Sequence, residues 1–158
     1  MIGAGRPRRA RRPAVTLAVT LAVTLVGLAV AVALARPGRA RSWSGTRVQV
    51  RLDDFRVHPS ARLLPPGPVN FHVIDDGPST HELNVVRTDL DAAELPLKPD
   101  GLTVDEDAPG LFHLGEAEGL DIGDRRDLTV TLPPGHYVLY CNMEGHYLGG
   151  MRAAIMVR

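Results

Sequence analysis

The chain of 158 residues contains one cysteine, Cys141, and no acidic residue before Asp53. A single cysteine excludes an internal disulfide. In an exported domain a free thiol is exposed to oxidation or intermolecular pairing unless something occupies it. The acid-rich stretches Asp105-Glu106-Asp107 and Glu116, Glu118, Asp121 lack EF-hand spacing, so they read as solvated surface rather than a calcium loop. Helical patterning is nearly absent from the body of the chain. Only Asp89 to Leu95 offers a short helix, with Asp89 near its cap and Pro96 stopping it.

Formal neutrality conceals two objects of opposite charge. Eight arginines precede residue 46, while the remainder holds 10 basic and 18 acidic residues, a formal charge of −8. Between the arginines lies one uncharged run of 22 residues, Ala14 to Ala35. As a helix it would reach about 33 Å, enough to cross a bilayer core, and it exceeds the about 7–15 residues of an ordinary signal-peptide core. Five arginines before it and three after favour an inside N-terminus. The expected organisation is a basic segment at 1–13, a transmembrane signal anchor at 14–35, a linker at 36–46 and a domain at 47–158 on the extracytoplasmic side. Cleavage after Ala33-Leu34-Ala35, releasing a secreted domain, is the alternative, although Arg36-Pro37 makes a poor new terminus. The threonines at 16, 20 and 24 share one helix face and read as tolerated small polar residues.

The domain reads as short alternating strands between Pro/Gly turns. Val48, Val50 and Leu52 alternate, Asp53-Asp54 interrupts, and Phe55 and Val57 resume one residue out of phase, which predicts a bulge that keeps both halves on the core face. Pro65 to Pro68 turns the chain into a strand over Val69 to Ile74. The turn-rich run Asp75 to Thr80 then leads into a short apolar strand, Leu83 to Val86. Residues 87–123 are the least regular. Leu128, Val130 and Leu132 alternate again and pass through Pro133-Pro134-Gly135 as a hairpin into Tyr137 to Tyr140. Such a series, at about 112 residues, predicts an all-β antiparallel sandwich.

The most informative stretch is Tyr140-Cys141-Asn142-Met143-Glu144-Gly145-His146-Tyr147-Leu148-Gly149-Gly150-Met151, flanked by apolar strands. Cys141, His146 and Met151 supply a thiolate, an imidazole and a thioether, the donors that suit copper. One more histidine would complete a His₂Cys set with a weak axial Met. Gly149 and Gly150 let the backbone turn tightly before Met151. That histidine should stand at the mouth of another strand. His81 does, with His113 as the other candidate. His72 falls on the polar side of its strand, and His136 lies in the hairpin turn away from Cys141. Zinc is the rival metal, but it rarely recruits a thioether.

His81, followed by Cys141-x₄-His146-x₄-Met151, resembles the blue (type 1) copper proteins of the cupredoxin family. The Gly-His-Tyr and Gly-Gly-Met wording is most similar to the rusticyanin and sulfocyanin branch. Residues 47–158 carry the resemblance. It implies a Greek-key sandwich that holds one copper per chain, cycling between Cu(I) and Cu(II), with His81, Cys141 and His146 in a trigonal plane and Met151 as the long axial ligand. It implies a one-electron carrier rather than an enzyme, serving a cytochrome or terminal-oxidase type of redox partner and not nucleic acid; the acidic charge of the domain suggests a basic docking patch on that partner. A copper-binding, storage or sensing module without electron transfer is the alternative. Oxidase and nitrite reductase modules resemble fusions with histidines flanking the cysteine, whereas Tyr140 and Asn142 flank it here, and no second histidine cluster is present. Two features depart from the family's pattern: Glu82 follows His81 where many members have Asn, and Asp75-Asp76-Gly77 replaces an Asn-x-Gly. Both bear on how the ligand loops are braced.

Overall fold

Alternation in the sequence becomes two packed sheets. A computed structural model describes residues 43–158. The strands are β1 (Thr46–Asp53), β2 (Arg56–Pro59), β3 (Leu63–Leu64), β4 (Gly67–Asp75), β5 (His81–Arg87), β6 (Phe112–Leu120), β7 (Arg125–Leu132), β8 (Gly135–Tyr140) and β9 (Arg152–Val157), with a single helical turn α1 (His146–Gly149). One sheet has the order β2-β1-β4-β7 and the other β3-β9-β8-β5-β6. Most neighbours are antiparallel, but β1 runs parallel to β4 and β3 parallel to β9, so the sandwich is mixed at two pairs.

The inward residues of both sheets make the main core. Val48, Val50 and Leu52 of β1, Phe71 and Val73 of β4, and Leu132 of β7 meet Leu83 and Val85 of β5, Leu139 of β8 and Ile155 of β9. Each fully buried aliphatic or aromatic side chain contributes about 1.5–3 kcal/mol relative to exposure. The five-stranded sheet is apolar on its other face too, at Val86, Val138 and Tyr140. That face is covered by Leu95, Val104, Ala108 and Leu111 from the long connection between β5 and β6, together with Tyr147.

Three expectations are corrected. The interruption at Asp53-Asp54 is a hairpin and not a bulge: β2 folds back antiparallel on β1, with Asp53 opposite Arg56 and Val50 opposite Pro59. Phe55 at its tip is therefore exposed at the sandwich end rather than in the core. The short helix over 89–95 does not form. Asp91 Oδ1 accepts the Ala93 N–H at 2.8 Å and Asp91 C=O accepts the Glu94 N–H at 2.9 Å, closing one turn. The next N–H, Leu95, is taken by the Tyr147 hydroxyl, which ends any helical ladder. Conversely, β6 is a strand in the segment read as irregular. It is a sheet edge whose register against β5 shifts twice, which disguises its alternation.

The expected span at 14–35 lies outside the described residues. Among the described residues no helix is long and apolar enough to cross a membrane.

Candidate metal centre

β5 and β8 are antiparallel neighbours with Asn84 opposite Tyr140. The start of β5 and the end of β8 therefore share one end of the sandwich, which brings His81 to the same end as Cys141 although they stand 60 positions apart. Cys141 Sγ lies 3.5 Å from His146 Nδ1. The His81 and His146 rings meet edge to face with centroids 5.2 Å apart, and Phe55 flanks His146 at 5.7 Å. His81, Cys141 and Met151 are fully buried, and His146 is partly exposed.

The loop that carries three of these residues is closed by its own backbone. Cys141 N–H donates to Met151 C=O at 3.1 Å, and Met151 N–H donates to His146 C=O at 3.0 Å. Gly145 begins the α1 turn with φ 78° and Gly150 ends it with φ 120°, both in the region that favours glycine. A Cβ at Gly149 would strike the Phe55 ring. The glycines therefore let the β1–β2 hairpin close over the loop.

His81 has a setting that its sequence position did not reveal. Its Nδ1 is 2.9 Å from Asp75 Oδ1 and its Nε2 is 2.9 Å from Asp54 Oδ1. A Cβ at Gly77 would collide with its Cε1. The nitrogen-bearing edge of the ring thus faces carboxylates. Among the described residues the one trio of His, Cys or acidic donor atoms within 4.8 Å of one another is Glu106, His113 and Glu116, not His81 with Cys141 and His146. Ligation by His81 would need its ring to turn from one of its two carboxylates.

Burial governs the protonation of the loop donors. Desolvation pushes the Cys141 thiol up to about 11, with smaller lowering from backbone hydrogen bonds and raising from the Glu82 and Asp75 charges. A thiolate there needs a cation to displace its proton. Desolvation, followed by the His81 charge, lowers the His146 imidazole, which favours the neutral form that ligates metals.

The ligand loop is braced from two directions. Glu82 Oε1 accepts the Asn142 N–H at 3.1 Å and the Asn84 Nδ2–H at 2.9 Å, so a carboxylate joins the two loops. Burial raises the Glu82 carboxyl above its usual range, against those hydrogen bonds. From the outer side, Asn142 Oδ1 accepts the Val104 N–H at 2.6 Å and its Nδ2 donates to Val104 C=O at 3.2 Å. Gly145 N–H donates to Leu102 C=O at 3.0 Å. The Tyr147 hydroxyl accepts the Leu95 N–H and donates to Ala92 C=O, both at 2.9 Å. The irregular β5–β6 connection is thus the wall of the site. The sequence placed Asp75 in a bracing motif and Asn142 beside Cys141, but it did not show that Asp54 and Asp75 grip His81, that Phe55 flanks His146 or that Asn142 binds Val104. The acid pairs at 53–54 and 75–76, next to turns, were the available signal.

The other histidines lie elsewhere. His113 pairs with Asn84 Oδ1 at 3.3 Å and Glu116 at 3.7 Å on edge strand β6. His72 meets Asp127 on the outer face of its sheet, His58 meets Asp53, and His136 Nδ1 meets Thr88 C=O at the far end of β8.

No family profile matches the chain, and no curated relative does. Solved structures do. Auracyanin B is 24% identical with a TM-score of 0.52, over 72% of this chain and 88% of its own. Reduced auracyanin from the photosynthetic bacterium Roseiflexus castenholzii is 20% identical with a TM-score of 0.50, over 72% and 98%. Rusticyanin from Thiobacillus ferrooxidans is 17% identical with a TM-score of 0.51, over 73% and 79%. The fold is the cupredoxin-like sandwich that these proteins share.

Proposed function

We propose that the chain binds one copper ion through His81, Cys141, His146 and Met151 and carries single electrons between redox partners. The 3.5 Å separation of Cys141 Sγ and His146 Nδ1 carries this reading. Two donors at about 2.0–2.3 Å from one ion stand about that far apart. Thiolate, imidazole and thioether together suit copper better than zinc. Rusticyanin, which shares the fold, is described as a copper protein. Bound copper would supply a one-electron couple. The chain's own groups would keep the donors fixed between oxidation states, through the Cys141–Met151 backbone bond, the Glu82 tie and the Tyr147 anchor.

His146 is the partly exposed donor, and Phe55, Met143 and Leu148 around this end are exposed apolar residues. That surface suits a docking partner, and the acidic domain favours a basic patch on it. In this reading the 14–35 segment anchors the domain on the extracytoplasmic side. The test is to add one equivalent of Cu(II) to the full chain and to its Cys141→Ser variant. An intense visible thiolate-to-copper band that the variant lacks, together with a reversible one-electron wave, is expected. A colourless wild type would overturn the copper reading. A band without a reversible wave would leave a binding module.

A further inference from the structure

Asp75 is a fully buried carboxylate at the candidate centre, and its position is imposed by the fold. Its backbone is held on both sides: Asp75 N–H donates to Asp124 C=O at 3.0 Å, and Gly123 N–H donates to Asp75 C=O at 2.8 Å. The side chain has no exposure. Oδ1 accepts the Gly77 N–H at 2.9 Å and pairs with His81 Nδ1 at 2.9 Å. Oδ2 is buried without any hydrogen-bond partner. A carboxylate oxygen stripped of water and left unpaired is costly, so its retention calls for positive charge nearby. No arginine or lysine pairs with it among the described residues. Asp54, the carboxylate at the other nitrogen of His81, is 27% exposed and receives the Ser79 hydroxyl, so water and Ser79 soften its charge.

We propose that Asp75 is the positioning and charge-setting residue of the centre: its hydrogen bond orients the His81 imidazole, and its buried negative charge biases the bound copper toward the divalent state. The proposal rests on the copper reading above. The electrostatics have one sign. A thiolate and a carboxylate neutralise Cu(II), whereas with Cu(I) they leave one excess negative charge in a buried site, so the carboxylate disfavours reduction. Hydrogen bonding of a ligand imidazole to a carboxylate works the same way by making the ring more basic. A neutral amide at this position keeps an acceptor for the Gly77 and His81 N–H groups and removes only the charge.

The experiment compares the full-length wild type with Asp75→Asn, measuring Cu(II) and Cu(I) affinities by competition titration and the midpoint potential by spectroelectrochemistry. In Asp75→Asn the ratio of Cu(II) to Cu(I) affinity is expected to fall about tenfold, read as a potential about 59 mV higher, with the thiolate band retained. Asp54→Asn should shift it less, and Asp75→Glu should stay nearer the wild type. An unchanged or lower potential in a copper-loaded Asp75→Asn protein overturns the proposal, as does a larger shift from Asp54→Asn. A second measurement needs no variant. The redox-induced infrared difference spectrum of the wild type should contain a carboxylate band that moves between Cu(II) and Cu(I), and a spectrum with no carboxylate change overturns the proposal even if Asp75→Asn fails to fold. A wild type with no thiolate-to-copper band removes the copper reading itself. That outcome is visible before any Asp75 variant is made.

Discussion

Glu82 on β5 accepts the backbone N–H of Asn142 at 3.1 Å, so one carboxylate oxygen joins the strand that begins at His81 to the residue that follows Cys141. The same oxygen accepts from Asn84, and through it the two loops at this end of the sandwich behave as one unit. An acidic residue braces the two loops at the position where many members of the family that the ligand motif resembles have asparagine.

Glu82→Ala removes the shared acceptor and leaves the Asn142 N–H and Asn84 Nδ2–H without it. A loss of about 1–3 kcal/mol in unfolding free energy is expected, measured by urea denaturation of the copper-free chain. Glu82→Gln keeps an acceptor oxygen and should lose less than Glu82→Ala. Equal losses would show that the charge, not the hydrogen bonds, matters.

Tyr147→Phe deletes a hydroxyl that both accepts from Leu95 N–H and donates to Ala92 C=O. The ring can still pack against Tyr140, edge to face at 6.0 Å. The expected cost is again about 1–3 kcal/mol. Amide hydrogen exchange should accelerate at Leu95 more than in β1 or β4. Uniform acceleration would mean that the β5–β6 connection is not tied to the ligand loop at this point.

Gly150→Ala places a Cβ 3.1 Å from Phe55 C=O at a φ of 120°. Strain of about 1–3 kcal/mol is expected. Because the strain falls between His146 and Met151, the thiolate-to-copper band should shift or weaken in the same variant. A variant as stable as the wild type with an unchanged spectrum would contradict the tight-turn role.

Copper should raise the stability of the wild type by linkage, by about 4.1 kcal/mol at a free concentration a thousandfold above Kd. Cys141→Ser should lose nearly all of that increment. Thermal unfolding with and without one equivalent of copper checks this. An increment retained in Cys141→Ser would place the copper elsewhere, with Glu106, His113 and Glu116 the next donors to remove.

The sequence by itself determined the inward faces and supplied the residue types from which a metal site is proposed. Val48, Val50 and Leu52, or Leu128, Val130 and Leu132, declare a buried face because side chains alternate across a strand, a local rule that needs no partner. Cys141, His146 and Met151 declare soft-metal chemistry because ligand type and spacing within one loop are also local. What lies around those donors is not local. Asp54 reaches His81 from 27 positions away because β1, which lies beside β4 with Leu52 opposite Asp75, turns there into the β1–β2 hairpin, while Asp75 reaches it from 6 positions away across the turn after β4. Tyr147 finds Leu95 across 52 positions, and Asn142 finds Val104 across 38. The hairpin at Asp54-Phe55, the parallel pairing of β1 with β4 and the shifted edge strand β6 were likewise decided by tertiary packing. Residue order alone does not say which strand edges will meet or which polar groups, once buried, must find one another.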